Sequence, residues 1–111
     1  MIWRVRGRSE FADLARARRT VRAPLDVRVV CRDSSEPPRV AYAIGKRLGG
    51  AVERNRLRRR LRAAVQESAE LLTQGCAYLI GARPEAHVLT PIELRTTVRD
   101  LLSAAPTRVV S

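Results

Sequence analysis

Apolar side chains recur along this chain with two different periods. Phe11, Leu14 and Ala15 fall at i, i+3 and i+4, the stripe of a short helix with Ser9 as its N-cap that runs to about Ala17. Leu25, Val27, Val29 and Cys31 then alternate with Asp26, Arg28, Val30 and Arg32, a period of two that predicts a half-exposed strand. A short strand over Thr20 to Arg22 precedes it, with Pro24 as the break. Arg39 to Ile44 alternates again, with Val40, Tyr42 and Ile44 on one face. Between the two lies DSSEPP, a turn-forming loop. The two longer strands are expected to pair as a hairpin or meander.

The helical period returns from about Ala51 to about Thr73. Leu57, Leu61, Ala64, Val65, Ser68 and Leu72 form one core-facing stripe, and Gly75 supplies the C-terminal glycine. Cys76 to Ala82 is almost wholly apolar and predicts a strand inside the sheet. Thr90-Pro-Ile-Glu93 reads as a capping box with proline at the first helical position. The helix it opens turns Leu94, Val98, Leu101 and Leu102 inward and ends before Pro106. The order α-β-β-β-α-β-α, with helices packed on a sheet, makes an α+β domain, a two-layer α/β sandwich. Residues 1–8 are expected as a basic flexible arm, 9–105 as a single domain and 106–111 as a C-terminal tail.

Charge changes the picture. The 111 residues carry a net charge of +11, and it is unevenly placed. Residues 39–62 hold nine Lys and Arg against Glu53 alone, whereas residues 63–111 hold four Arg against five acids. Six of the nine residues from Arg54 to Arg62 are arginine, yet Leu57 and Leu61 keep the helical beat. Such a run is a fixed cationic surface. Its like charges repel, near a helix N-terminus that already disfavours cations. A nucleic-acid backbone is the natural counterion. Arg54, Arg58 and Arg62 share one helix face, flanked by Arg56, Arg59 and Arg60, and GKRLGG before the helix presents Lys46 and Arg47. Asn55 reads equally as a contact to phosphate, a 2′-OH or a hydrated metal, or as a plain residue of the first turns.

Other chemistry is sparse. Cys31 and Cys76, without clustered histidine, make no zinc site and are expected as reduced, buried thiols of a cytoplasmic protein. No Ser/His/Asp or Cys/His set stands out, and His87 has no partner in view. Tyr42 and Tyr78 are expected in the core. Phe11 is either a core residue, the favoured reading, or a stacking platform; Trp3 either stacks on a base or is incidental. The N-terminus lacks the apolar segment of a secretory signal, and no apolar run is long enough to span a membrane. A DNA-binding helix-turn-helix is disfavoured because the basic helix is followed by a strand.

These residues together resemble a known pattern. AIGKRLGGAVERNRLRRRLR is similar to the signature of the bacterial ribonuclease P protein component, a glycine-rich basic segment followed by A-V-x-R-N-R-x-[KR]-R-x-x-R. Ala51, Val52, Arg54, Asn55, Arg56, Arg58, Arg59 and Arg62 match it in register. SEFADLA resembles the family's first helix, and CAYLIGARP with LTPIEL its late strand and last helix, so the likeness spans residues 8–104. The resemblance implies a ribosomal-protein-like fold with a left-handed βαβ crossover. It implies a subunit of an endoribonuclease that removes the 5′ leader of precursor tRNA, with catalysis in an RNA subunit and Mg²⁺ held mainly by that RNA. The implied partners are the catalytic RNA subunit and precursor tRNA, with no membrane and no small-molecule substrate. Lys46, Arg47, Arg54, Asn55, Arg56, Arg58, Arg59 and Arg62 would bind RNA, and Phe11, Arg28 and Arg32 would line the leader cleft; Asn55 is the one candidate for a metal contact. The family often carries a second aromatic where this chain has Ala15, and aromatics on the strand that here reads LDVRVV. Arg28 and Arg32 would then substitute electrostatically. A non-catalytic ribosomal or chaperone-like RNA-binding protein is the alternative.

Overall fold

The computed structural model describes residues 1–107. Strands β1 (Trp3–Arg4), β2 (Arg19–Arg22), β3 (Leu25–Cys31), β4 (Arg39–Ile44) and β5 (Cys76–Ala82) form one sheet, with helices α1 (Arg8–Arg16), α2 (Ala51–Glu67) and α3 (Pro91–Ala104) packed on it. The sheet order is β1-β4-β5-β3-β2. The expected succession of elements holds, with one strand added in front. Residues 108–111 of the expected tail lie outside the described residues.

The expected pairing of β3 with β4 does not form. Strand β5 inserts between them, antiparallel to β3 and parallel to β4, while β3 pairs instead with β2. The reason is composition. CAYLIGA carries no charge and is covered on both faces, so it takes the centre, while the charged β2 and β1 take the edges. Strands β4 and β5 run parallel and are joined through α2, which places the basic helix beside the sheet.

Each sheet face has its own core. Leu25, Val27, Cys31, Val40, Ile44, Tyr78 and Ile80 point toward α2 and α3, where they meet Leu57, Leu61, Val65, Leu94, Val98 and Leu101. On the other face Val30 and Ala77 pack against Leu14 of α1 and against Val5. Helix α1 covers only part of that face: Val21 and Ala43 stay exposed.

Four local expectations are corrected. Residues 3–4 belong to no free arm: they pair with Arg39 and Val40, the Trp3 N–H donates to the Pro38 carbonyl at 2.8 Å, and Val5 is buried. A two-residue strand has no period to read. Helix α1 is capped at Gly7, not Ser9, without a side-chain cap. Helix α2 stops at Glu67 because the buried Ser68 tightens into a short 3-10 turn, Ala69–Leu71. Gly75 therefore serves a turn and not the helix end. Its φ is 78°, and a Cβ there would press into the Arg32 and Ser34 carbonyls. Finally, Cys31 and Cys76 are joined as a disulfide, not free thiols. They stand directly opposite each other on β3 and β5, a proximity their 45-residue separation concealed.

Candidate nucleic-acid interface

The site begins where β4 ends. Gly45 leads into a 3-10 turn, Lys46–Leu48, in which Leu48 is buried and Lys46 and Arg47 are exposed. The buried leucine anchors the turn and holds the two cations outward. Gly50 then caps α2 without any side-chain hydrogen bond. Glu53, the one acid of this segment, folds back over the two glycines: a Cβ on Gly50 would lie 3.2 Å from its Oε2. A carboxylate in the first turn suits the helix dipole, and small residues at 49 and 50 leave room for it.

Beyond Glu53 the helix divides its surface by its own period. Leu57, Leu61, Ala64 and Val65 are buried, while Asn55, Arg56, Arg59 and Arg62 are exposed and Arg54 and Arg58 half-buried. Among the described residues no carboxylate pairs with any arginine from Arg54 to Arg62; the five ion pairs all lie elsewhere. The charges are neither scattered among acids nor consumed by the core. Repulsion within the array is therefore uncompensated by any carboxylate of the described residues, and a polyanion would relieve it.

Three members of the run have internal partners. Arg54 Nε donates to the Gly50 carbonyl at 3.4 Å. Arg58 Nη1 donates to Asn55 Oδ1 at 2.8 Å. That contact takes one of the two lone pairs of the Asn55 carbonyl oxygen and leaves the amide NH₂ as a free donor, which suits a phosphate or a 2′-OH. Arg60 reaches away from the array and donates to the His87 and Leu89 carbonyls. It fastens a 3-10 segment, Pro84–Val88, to the helix, and that segment in turn packs against the turn carrying Lys46 and Arg47. Arg60 is a structural fastener, although nothing in its spacing separates it from its neighbours.

Of the three residues expected in a cleft, Arg28 and Arg32 lie on the opposite sheet face, beside α1, and Phe11 lies on α1 itself. Arg28 donates to the Ala15 carbonyl, and Arg32 pairs with Asp13. Both arginines thus brace α1, though the Arg32–Asp13 pair is solvent-exposed and open to exchange. Phe11 is 41% exposed, which overturns its placement in the core. Val21 and Ala43 are exposed on the sheet face that Arg28 shares. Asp26 lies here too, its carboxylate over Gly81, where a Cβ would be only 2.6 Å away.

Sequence reasoning missed the neighbours of the array. Trp3, Arg4 and the half-buried Tyr42 border one groove with Arg58 and Arg62. Burial pushes the Tyr42 hydroxyl up to about 12, against the pull of Arg62, so it stays a neutral donor. Among the described residues no group of three or more His, Cys, Asp or Glu is placed to hold a metal ion, and no helix is long and apolar enough to cross a membrane.

Comparison with known proteins bears on this surface. The family profile described as Ribonuclease P matches residues 2–106. The chain is 38% identical over 80 residues to the ribonuclease P protein component of Beutenbergia cavernae, covering 72% of this chain and 67% of that protein. It is also 38% identical over 102 residues to that of Gluconacetobacter diazotrophicus, covering 86% and 88%. The fold matches the Staphylococcus aureus RNase P protein with a TM-score of 0.77 at 18% identity, over 90% of this chain and 92% of that one. The Thermotoga maritima RNase P protein matches with a TM-score of 0.78 at 17% identity, over 90% and 94%.

Proposed function

This chain belongs to the ribonuclease P protein family, and from that premise we propose that it binds the catalytic RNA subunit and precursor tRNA to aid 5′ maturation of tRNA. The family is that of an endoribonuclease subunit. In this reading the protein supplies no reacting group; the RNA cleaves the phosphodiester with Mg²⁺ that it holds itself. Lys46, Arg47, Arg54, Asn55, Arg56, Arg58, Arg59 and Arg62 contact RNA backbone. The leader lies on the face opened beside α1, against Phe11, with Arg28 and Arg32 able to leave their α1 partners for phosphate.

One observation carries the reading: the arginines of α2 form an ordered array that no carboxylate of the described chain neutralises. Arginine forks bind phosphate bidentately, and each phosphate neutralised releases counterions. Repulsion between catalytic RNA and substrate then falls, and less Mg²⁺ is needed to hold them together. The complex is expected in the cytoplasm, where precursor tRNA is made.

The test is reconstitution. A matched catalytic RNA with this protein should cleave precursor tRNA at low Mg²⁺, where the RNA alone cleaves poorly. Equal cleavage with and without the protein would remove the cofactor role and favour a ribosomal or chaperone-like RNA-binding protein.

A further inference from the structure

Trp3 is the only tryptophan of the chain, and it stands in an unusual place. It sits on the edge strand β1, 44% exposed, and its indole N–H finds only the Met1 sulfur at 3.1 Å. Nearly half of this large apolar side chain therefore stays in water, and packing accounts for only part of its placement.

Two cavities meet at this residue. The first, of about 540 Å³, is lined by Trp3, Arg4, Arg6, Glu10, Glu36 and Arg39. Both of its carboxylates bind Arg39, which leaves Arg4 and Arg6 as its uncompensated charges. The second, of about 420 Å³, also carries Trp3 and Arg4 and adds Tyr42, Arg58, Arg62 and Gln66. No acid lines it. The paired β1 stops at Arg4, so the backbone edge of β4 beyond Val40 is not covered by a strand. The groove is thus an aromatic plate with cations on both sides, continuous with the arginine face of α2 and distinct from the open face beside α1.

We propose that the Trp3 groove binds single-stranded RNA, one base stacking on the Trp3 indole while the flanking phosphates lie on Arg4, Arg58 and Arg62. Stacking on an aromatic side chain is sequence-tolerant, and cations on both sides suit a strand passing across the plate. The groove's position explains why α2 presents Arg58 and Arg62 toward β4. The inference rests on the proposed RNA-binding role and adds a stacking site to it.

The single indole makes the test direct. Titrating the full-length protein with a short oligoadenylate should quench Trp3 emission saturably, and the quench should weaken with salt. Trp3→Leu should lower oligoadenylate affinity on the order of tenfold, Trp3→Phe should restore most of it, and Arg62→Ala should reduce the quench of the wild-type indole. Precursor tRNA with and without its 5′ leader, and the catalytic RNA alone, identify the strand that fills the groove. Binding seen by anisotropy with Trp3 emission unchanged, or equal affinity for Trp3→Leu and wild type, would overturn the groove while leaving the proposed function standing. Absence of binding to any of these RNAs would overturn both.

Discussion

Arg39 grips Glu10 through two parallel hydrogen bonds, Nε to Oε1 at 2.9 Å and Nη2 to Oε2 at 2.6 Å, and so ties β4 to α1 across the sheet edge. The side chains are only 14% and 15% exposed, and Arg39 also holds Glu36 at 2.6 Å. Donation to the Glu10 carboxylate leads in raising the arginine pKa, against desolvation by burial. A forked, largely dehydrated pair is geometrically specific, and losing one partner strands the other. Arg39→Ala should therefore destabilise the fold by about 2 kcal/mol, read as a lower urea midpoint with an unchanged slope. An unchanged midpoint would show that the pair merely balances its own desolvation.

Arg58 and Arg60 lie two residues apart and should behave differently. Arg58→Ala or Arg62→Ala should weaken binding to the catalytic RNA and reduce the salt slope by about one unit for each phosphate that is no longer neutralised. Arg60→Gln takes donors from the His87 and Leu89 carbonyls and should cost about 1–2 kcal/mol of stability, with a smaller change in slope. Equal slopes for Arg58→Ala and Arg60→Gln would contradict this division of roles.

Asn55 provides a sharper contrast. Asn55→Asp keeps the acceptor for Arg58 but gives up the outward NH₂ and neutralises a neighbouring guanidinium. It should bind the catalytic RNA more weakly than Asn55→Ala does. Tighter binding by the aspartate variant, or a new Mg²⁺ dependence of that binding, would return Asn55 to the role of a metal contact.

Gly75 occupies a backbone region that other residues rarely adopt, and the Arg32 and Ser34 carbonyls fill the space beside it. Gly75→Ala should destabilise by about 2 kcal/mol or more, measured by thermal or urea unfolding. A neutral result would mean that the turn before β5 can rearrange.

The capping box of α3 sets a pH dependence. The Thr90 backbone N–H, and then its side chain, hold the Glu93 carboxyl below its ordinary value near 4.5. A carboxyl depressed in the folded state adds stability that is present above the unfolded pKa. That stability is lost as pH falls through the folded pKa. Acid unfolding of the wild type should thus steepen below about pH 4.5, and Glu93→Gln should flatten that region of the curve. Superimposable curves would leave the cap without electrostatic weight.

Much of this architecture was legible in the order of the residues because it rests on local chemistry. The period of Leu57, Leu61, Ala64 and Val65 requires a helix with one buried stripe, and the arginines between them must then face outward. Thr90, Pro91 and Glu93 form the cap that their types and spacing dictate. Strand β5 is interior because an uncharged strand needs cover on both faces.

Partnership across the chain was decided only by the tertiary fold, because it depends on which distant segments the sheet brings side by side. Period alone favoured the core for Phe11; in the fold Leu14 is the α1 residue that packs on Val30 and Ala77, and Phe11 stays 41% exposed. Placing β5 between β3 and β4 brought Cys31 opposite Cys76, and pairing β1 with β4 brought Trp3 to Arg58 and Arg62. Charge density is a property of sequence, but whether a guanidinium meets a carbonyl, a carboxylate or open water is a property of packing. Arg60 and Arg58 show this directly: they are the same residue type in one run, yet Arg60 binds backbone carbonyls of a distant segment and Arg58 borders the groove beside Tyr42.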